Sequence, residues 1–356
     1  MSGRLARLRQ KMADEGVESL LVMQPENRRY LSGFTGSAGA LLINQQNACL
    51  LVDFRYVEQA HQECPGWAVY EIKESTADLL AEISPALGIS SLACEGDYLT
   101  LQQYRSLQDK LSPLRVEPVY GFVEGLRMTK DDQEVEYLRR AAELADLAFS
   151  YILAFLRPGV RELDVSLELE FFLRKKGARK TSFDIIVASG PRGAMPHGTA
   201  SEKVLQQGEL VTIDYGCEFQ GYCSDITRTV SLGHPREDQE KIYAAVLEAQ
   251  AAGIATLKAG VKAGAVDQAV REVIARHGYL DSFRHSTGHG VGLSVHEAPR
   301  LSMKDETVLQ EGMVVTVEPG IYLPGWGGVR IEDMVLVKET GSLLLTHAPK
   351  EKLIAC

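Results

Sequence analysis

The chain has no long apolar run: nowhere do the roughly 18 consecutive apolar residues of a membrane span occur together. It has no excess of cations either. With 38 Lys and Arg against 48 Asp and Glu, a net charge of −10 argues against a nucleic-acid partner, since phosphate binding needs clustered cations. The six cysteines, at 49, 64, 94, 217, 223 and 356, form no Cys-x-x-Cys pair. They read as reduced thiols of a cytoplasmic protein rather than as a zinc site or disulfide framework. Cys217 and Cys223 flank one turn and could approach each other, with a structural role favoured. The stretch Gly33-Phe-Thr-Gly36-Ser-Ala-Gly39 lacks the G-x-G-x-x-G spacing and no P-loop lysine follows it, so it reads as a turn and not a phosphate cradle. The opening Met1-Ser-Gly-Arg-Leu-Ala-Arg7 has charge but no apolar segment behind it, and no leader peptide is expected there.

What remains is the composition of an ordinary globular protein, 45% hydrophobic and 24% charged, in a chain of 356 residues that is long for one core. Residues 1–120 alternate helix and strand signals. Leu5, Leu8 and Met12 recur at helical spacing, and strands are predicted at Ser19–Met23, Ala40–Ile43, Ala48–Val52, Trp67–Ile72, Ser91–Glu95 and Leu114–Pro118. Residues 121–130 read as a linker. Thr129 reads as the N-cap of a long amphipathic helix reaching about Phe155, and a second domain is predicted over 131–356.

The second domain is organised around Gly208–Val230. Leu210–Tyr215 and Tyr222–Val230 read as two strands, joined by the turn residues Glu218-Phe-Gln-Gly221. A turn centred between Phe219 and Gln220 sets Asp214 directly opposite Asp225; a centre on Gln220-Gly221 keeps both on one face. Like charges roughly 5 Å apart across a strand pair repel, by about 3 kcal/mol at an effective dielectric of about 20. A positive group between them is therefore expected.

This hairpin has a counterpart. Leu156-Arg-Pro-Gly-Val160 recurs as Leu257-Lys-Ala-Gly-Val261, and Gly208-Glu-Leu-Val-Thr-Ile-Asp214-Tyr-Gly216 as Gly312-Met-Val-Val-Thr-Val-Glu318-Pro-Gly320. Tyr222-Cys-Ser-Asp225 is answered by Val329-Arg-Ile-Glu332, the offset growing from 101 to 107 residues along the series. Two halves related by an approximate two-fold axis would each give a pair of carboxylates to one site. Four buried carboxylates cannot all ionise unaided, and oxygen-rich donors suit hard or borderline divalent cations. Two such ions about 3.5–4 Å apart would fit the symmetry. A nitrogen donor is expected from His285-Ser-Thr-Gly-His289-Gly-Val-Gly-Leu-Ser-Val-His296, which holds three of the eight histidines, while His197 in Met195-Pro-His-Gly198 occupies a comparable place before the first carboxylate strand.

In order and context, Asp214, Asp225, His289, Glu318 and Glu332 resemble the five metal ligands of the metallopeptidases with the methionine aminopeptidase, or pita-bread, fold. The N-terminal part resembles the creatinase-type domain of Xaa-Pro aminopeptidase (aminopeptidase P) and Xaa-Pro dipeptidase (prolidase). His285-Ser-Thr-Gly-His289, Val295-His-Glu297, Val317-Glu-Pro-Gly-Ile-Tyr322 and Val329-Arg-Ile-Glu-Asp333 match these enzymes closely. The resemblance implies an α+β pita-bread catalytic domain with an internal pseudo-two-fold repeat, preceded by a smaller α/β domain. It also implies two divalent ions, Mn²⁺ before Co²⁺ or Zn²⁺. Asp214 would hold one ion, His289 and Glu318 the other, and Asp225 and Glu332 both.

By the same resemblance Glu318 handles the proton of the attacking water, and His197 and His296 hydrogen-bond the substrate. His285 lines the proline pocket, Arg330 orients the bridging carboxylates, and Tyr322 lies beside them. Expected substrates are small peptides with proline second, and a homodimer is expected by analogy. Arg300 resembles an arginine that prolidases place near a dipeptide carboxylate, whereas Phe34–Gly39 looks more like the aminopeptidase group, and the reading leans to aminopeptidase P. A non-catalytic peptide-binding protein on this fold is the remote alternative, against which all five ligand positions are filled.

Overall fold

The computed structural model describes residues 2–356, with the side chain of Ser2 outside the description. The chain divides into two compact units, the boundary falling between Arg127 and Met128.

In the first unit six strands form one sheet, in the spatial order Ala68–Glu71, Ala48–Val52, Ala40–Asn44, Ser19–Val22, Ser91–Glu95 and Arg115–Val119. The two short apolar runs at its centre pair antiparallel, as a hairpin requires, with the Asn44 side chain accepting from the turn amides of Gln46 and Asn47. The Gly-rich stretch is a turn. Gly33 caps the helix Pro25–Ser32 with left-handed backbone, and the buried Arg28 guanidinium donates to the carbonyls of Gly36 and Gly39.

The second unit repeats one order of elements. Each half has a long helix (Asp132–Ile152; Glu237–Thr256), a second helix (Glu162–Lys175; Ala263–Arg276) and then three antiparallel strands. The strands of the first half, Ile186–Ser189, Leu210–Tyr215 and Ile226–Ser231, pair in sequence, and Ile354–Ala355 extends their sheet. Those of the second half, Gly288–Gly290, Val314–Val317 and Asp333–Lys338, form the middle of a five-stranded sheet. Apolar side chains such as Val211, Ile213 and Val230 seat the first sheet on the helices of its own half. Among the described residues no helix is long and apolar enough to cross a membrane.

Two local expectations are corrected. The long helix starts two residues later than Thr129 predicts, because Asp131 and Glu134 each accept the other's backbone N–H and satisfy two end donors at once; Thr129 instead bridges to Met313. It stops at Ile152, short of Phe155. Of the two hairpin centres the sequence allows, the turn takes Gln220-Gly221, where both residues have positive φ (50° and 85°), the two-residue turn that matches strand twist. Asp214 therefore faces Thr227, and Asp225 becomes its diagonal neighbour.

At the base of this hairpin the strands approach so closely that a Cβ on Gly216 would sit 1.8 Å from the Ser224 carbonyl oxygen. Gly216→Ala is expected to destabilise the protein by about 1–3 kcal/mol through overpacking, whereas Gly66→Ala, where nothing lies within 4 Å, should be neutral. Equilibrium urea unfolding of the two variants checks this, and equal midpoints would contradict it.

Candidate metal centre

The carboxylates of both halves converge. Asp225, His289 and Glu332 present ligand atoms that all lie within 4.8 Å of one another. His289 Nε2 stands 3.6 Å from Asp225 Oδ2 and 3.5 Å from Glu318 Oε1. Its orientation is set from behind: the backbone N–H donates to Thr316 Oγ1, and Nδ1 faces the Gly290 carbonyl at 3.1 Å. That contact assigns the proton to Nδ1 and leaves Nε2 with a free lone pair. The strand carrying His289 lies against its neighbour so tightly that a Cβ on Gly288 would be 1.9 Å from the Thr316 carbonyl oxygen, so only glycine lets His289 reach this depth.

The expected cation beside the first aspartate is Arg330. Its Nη2 donates to Asp214 Oδ2 at 2.6 Å, Nη1 to Tyr322 Oη and the Pro196 carbonyl, and Nε to Thr227 Oγ1. Thr227 Oγ1 in turn donates to Glu332 Oε2 at 2.7 Å, so one threonine ties the arginine to the far carboxylate. The other oxygen of Asp214, Oδ1, is buried with no hydrogen-bond partner. A buried acceptor left open in a cluster of carboxylate and imidazole donors is what a bound divalent cation would satisfy, and the residues present fit such an ion.

Electrostatics agree. Burial, then the neighbouring Glu332, Asp214 and Glu318, push the Asp225 carboxyl well above its ordinary range. Burial, then Glu318 and Asp214, do the same to Glu332. Glu318 rises to about 8, chiefly by burial. Burial lowers His289 to about 4, which keeps its ring neutral and able to coordinate near pH 7.

The other predicted residues border this cluster. His296 stacks near His289, ring centres 4.3 Å apart, and burial depresses its basicity. His285 is also lowered to about 4 by burial; its Nε2 accepts from Tyr322 Oη at 3.0 Å and its ring meets Phe283 edge-on. His197 lies exposed in the loop after Gly190–Ala194, close enough to disfavour protonation of His285 and His296. Arg300 is exposed on the neighbouring strand directly across from His289, with Nε on Ser286 Oγ. Cys217 and Cys223 do not meet, their thiols donating to different carbonyls, Ala141 and Leu293.

Three residues at the cluster escape motif reading. Thr227 and Thr316 hold Glu332 and His289, and Arg228 sits buried one residue beyond Thr227. Strand parity gives the first away, since Thr227 lies two residues from Asp225; a lone arginine inside the β-branched run Ile226-Thr-Arg-Thr-Val230 is the signal for the last.

The raised carboxyls have a consequence for the metal-free chain. A carboxyl whose pKa rises on folding keeps its proton after the unfolded chain has lost it, so its stabilising contribution is full below the ordinary carboxylate range and drains as pH rises toward about 8. The depressed histidines act oppositely, but only below their ordinary range near 6.5. Between about pH 6.5 and 8 the carboxyls set the slope, and a cation replaces the protons they lose. The melting midpoint of chelator-treated protein should therefore fall across this window, and the gain on adding Mn²⁺ should be larger at pH 8 than at 6.5. Equal gains at both pH values would contradict this account.

Comparison with known proteins accords with the geometry. Residues 136–339 match the model of metallopeptidase family M24, and residues 4–129 that of the creatinase/prolidase N-terminal domain. The chain is 39% identical over 354 residues to the Xaa-Pro dipeptidase of Pyrococcus furiosus, spanning 99% of this chain and 100% of the relative. Among solved structures it is similar to a Xaa-Pro dipeptidase from Bacillus anthracis (TM-score 0.97, 47% identity, 99% of each chain). It is also similar to an X-Pro aminopeptidase from Thermotoga maritima (TM-score 0.91, 38% identity, 99% of each chain). The second unit thus has the pita-bread architecture, and the α/β unit before it is of the creatinase type. Sequence match, shared architecture and converging acidic cluster lead to one statement: the chain belongs to metallopeptidase family M24 and is a peptide-hydrolysing enzyme.

Proposed function

We propose that this enzyme hydrolyses the Xaa-Pro bond of dipeptides, with two divalent cations at the cluster. The observation that carries the substrate reading is Arg300. It is exposed across from His289 at the margin of the site, with Nε donating to Ser286 Oγ. A cation there suits the C-terminal carboxylate of a substrate only two residues long. Phe34–Gly39, whose resemblance to the aminopeptidase group points to longer peptides, is bonded from Arg28 through Gly36 and Gly39 and so has a structural role within its own unit.

Asp225 and Glu332 would be shared by both ions. Asp214 would hold one through its open Oδ1, and His289 with Glu318 would hold the other. When bound, such cations supply Lewis acidity to a substrate carbonyl and to water. The chain's own groups do the rest. Glu318, beside His289 at the cluster, would accept the proton of the attacking water and return it to the prolyl nitrogen. His296 and His197 hydrogen-bond the substrate carbonyl and the charge that develops on it. His285, its nitrogens already engaged by Tyr322 and the Ser286 carbonyl and its ring set edge-on against the buried Phe283, would offer a weakly polar ring to the proline.

Turnover of Ala-Pro should exceed that of Ala-Pro-Ala by at least about tenfold in kcat/KM, a difference of about 1.4 kcal/mol. Arg300→Met should raise KM for Ala-Pro by about tenfold while leaving Ala-Pro amide unaffected. Comparable rates on the tripeptide, or an unchanged KM in the variant, would reject the dipeptide assignment. Asp225→Asn and Glu332→Gln should each abolish cation binding and peptidase activity together, and full turnover by either would refute the bridging roles.

A further inference from the structure

Behind the acidic cluster lies a second set of buried charges that the proposed chemistry does not touch. Arg228, among the largest fully buried side chains, donates through Nη1 to the carbonyls of Glu332 (2.5 Å) and Thr227 (3.0 Å). Its Nη2 donates to Asp333 Oδ1 and to the Ala348 carbonyl, both at 2.7 Å. Asp333, wholly buried, also accepts from Thr346 Oγ1 (2.7 Å), Gln250 Nε2 (2.8 Å) and the Lys350 ammonium. Lys350 donates in addition to Gln250 Oε1 at 2.7 Å.

The geometry makes Glu332 depend on this layer. Its peptide links the strands Gly327–Arg330 and Asp333–Lys338, and it is gripped at both ends from the strand that follows Asp225. The Glu332 N–H donates to the Thr227 carbonyl and the Glu332 carbonyl accepts from Arg228. The separation of Glu332 from Asp225 is thus set by where Arg228 points. Arg228 is aimed by Asp333, and Lys350 engages the Asp333 oxygen that Arg228 leaves free.

Lys350 belongs to the segment 346–350, which is itself fastened. Asp146 accepts the N–H groups of His347 and Ala348, and Tyr243 Oη donates to the Lys350 carbonyl. Beyond it, Ile354–Ala355 pairs in parallel with Val230 and Ser231, the end of the strand that bears Arg228.

We propose that Lys350 is a positioning residue for Glu332, acting through Asp333 and Arg228, so that the segment 346–350 sets how tightly this enzyme holds divalent cations. This rests on the reading of Glu332 as a metal ligand. Groups that orient ligands from behind typically change metal affinity by about 10- to 100-fold when removed. Lys350 is only partly buried and lies at the margin of the network, so its replacement perturbs packing least.

The test is Mn²⁺ binding to chelator-stripped full-length protein by titration calorimetry, with folding verified by circular dichroism and the Co²⁺ visible spectrum recorded alongside. Lys350→Met should weaken Mn²⁺ binding by about 10- to 100-fold and alter the Co²⁺ spectrum, whereas Lys350→Arg should restore both. Wild-type affinity in Lys350→Met, even with a lowered melting temperature, would overturn the proposal, because a merely stabilising lysine moves only the latter. Should Lys350→Met fail to fold, Lys350→Gln, which keeps a donor but no charge, supplies the same comparison. Wild-type protein that binds no Mn²⁺ would remove the metal-centre reading and this inference with it; wild-type binding with an unaffected variant removes this inference alone.

Discussion

The constraint on which the structure turns is the burial of Asp214, Asp225, Glu318 and Glu332 against one another. Each uncompensated charge moved into a protein interior costs several kcal/mol, and folding brings four acidic groups to one place. The chain answers part of this itself. Arg330 neutralises Asp214, and the hydroxyls of Thr227 and Thr316 donate to Glu332 and Glu318. What is left uncompensated appears as carboxyls held well above their ordinary range, an imidazole kept neutral and one oxygen of Asp214 without a partner. The raised carboxyls and the open Asp214 oxygen reflect a buried site built for more positive charge than the polypeptide supplies, whereas the imidazole is kept neutral by burial itself.

The duplicated halves deliver their carboxylates by unequal pairings. In the second half the ladder ends with Val317 across from Asp333, and Glu318 and Glu332 follow just beyond it, their N–H groups donating to Thr287 and Thr227 of other segments. In the first half the turn on Gln220-Gly221 shifts the ladder, and Asp214 meets Thr227 rather than Asp225. The shift spares the two aspartates a direct cross-strand clash. It also brings a hydroxyl to the centre of the cluster, where it receives Arg330 Nε and donates to Glu332. Symmetry of sequence thus produces an asymmetric set of donors.

The same turn shows where sequence reading reaches its limit. Alternation and duplication suffice to gather Asp214, Asp225, Glu318 and Glu332, because strand parity and repeat offset are properties of sequence alone; for the nitrogen donor they indicate only the stretch 285–296, and the family resemblance singles out His289. They do not separate a turn at Phe219-Gln220 from one at Gln220-Gly221, a choice decided by which residues tolerate positive φ. Thr129 was the expected cap because threonine caps well in general; Asp131 won because Glu134 returns its hydrogen bond. Arg228, Gln250, Asp333 and Lys350 lie up to 122 residues apart, and no local pattern shows that they meet. Their assembly depends on how the segment after Leu345 returns to the first sheet.

That return belongs to a wider arrangement in which buried charges hold the loops that bear the site. Glu162, fully buried, takes the N–H and hydroxyl of both Ser189 and Ser201 and the guanidinium of Arg192, closing the loop that carries His197. Asp267 accepts from Thr287 and orients Arg271, whose Nη2 donates to the His285 carbonyl at 2.6 Å. Lys130 reaches Glu297, next to His296, as a pair almost wholly removed from solvent. Each is an expensive interaction for stability alone, since apolar packing of similar volume often serves as well. What it adds is direction: a buried ion pair fixes a loop in one orientation where apolar contacts allow several. Three histidine-bearing loops and one glutamate strand are each held this way from behind, so the rigidity of the centre comes from charges that never face the substrate.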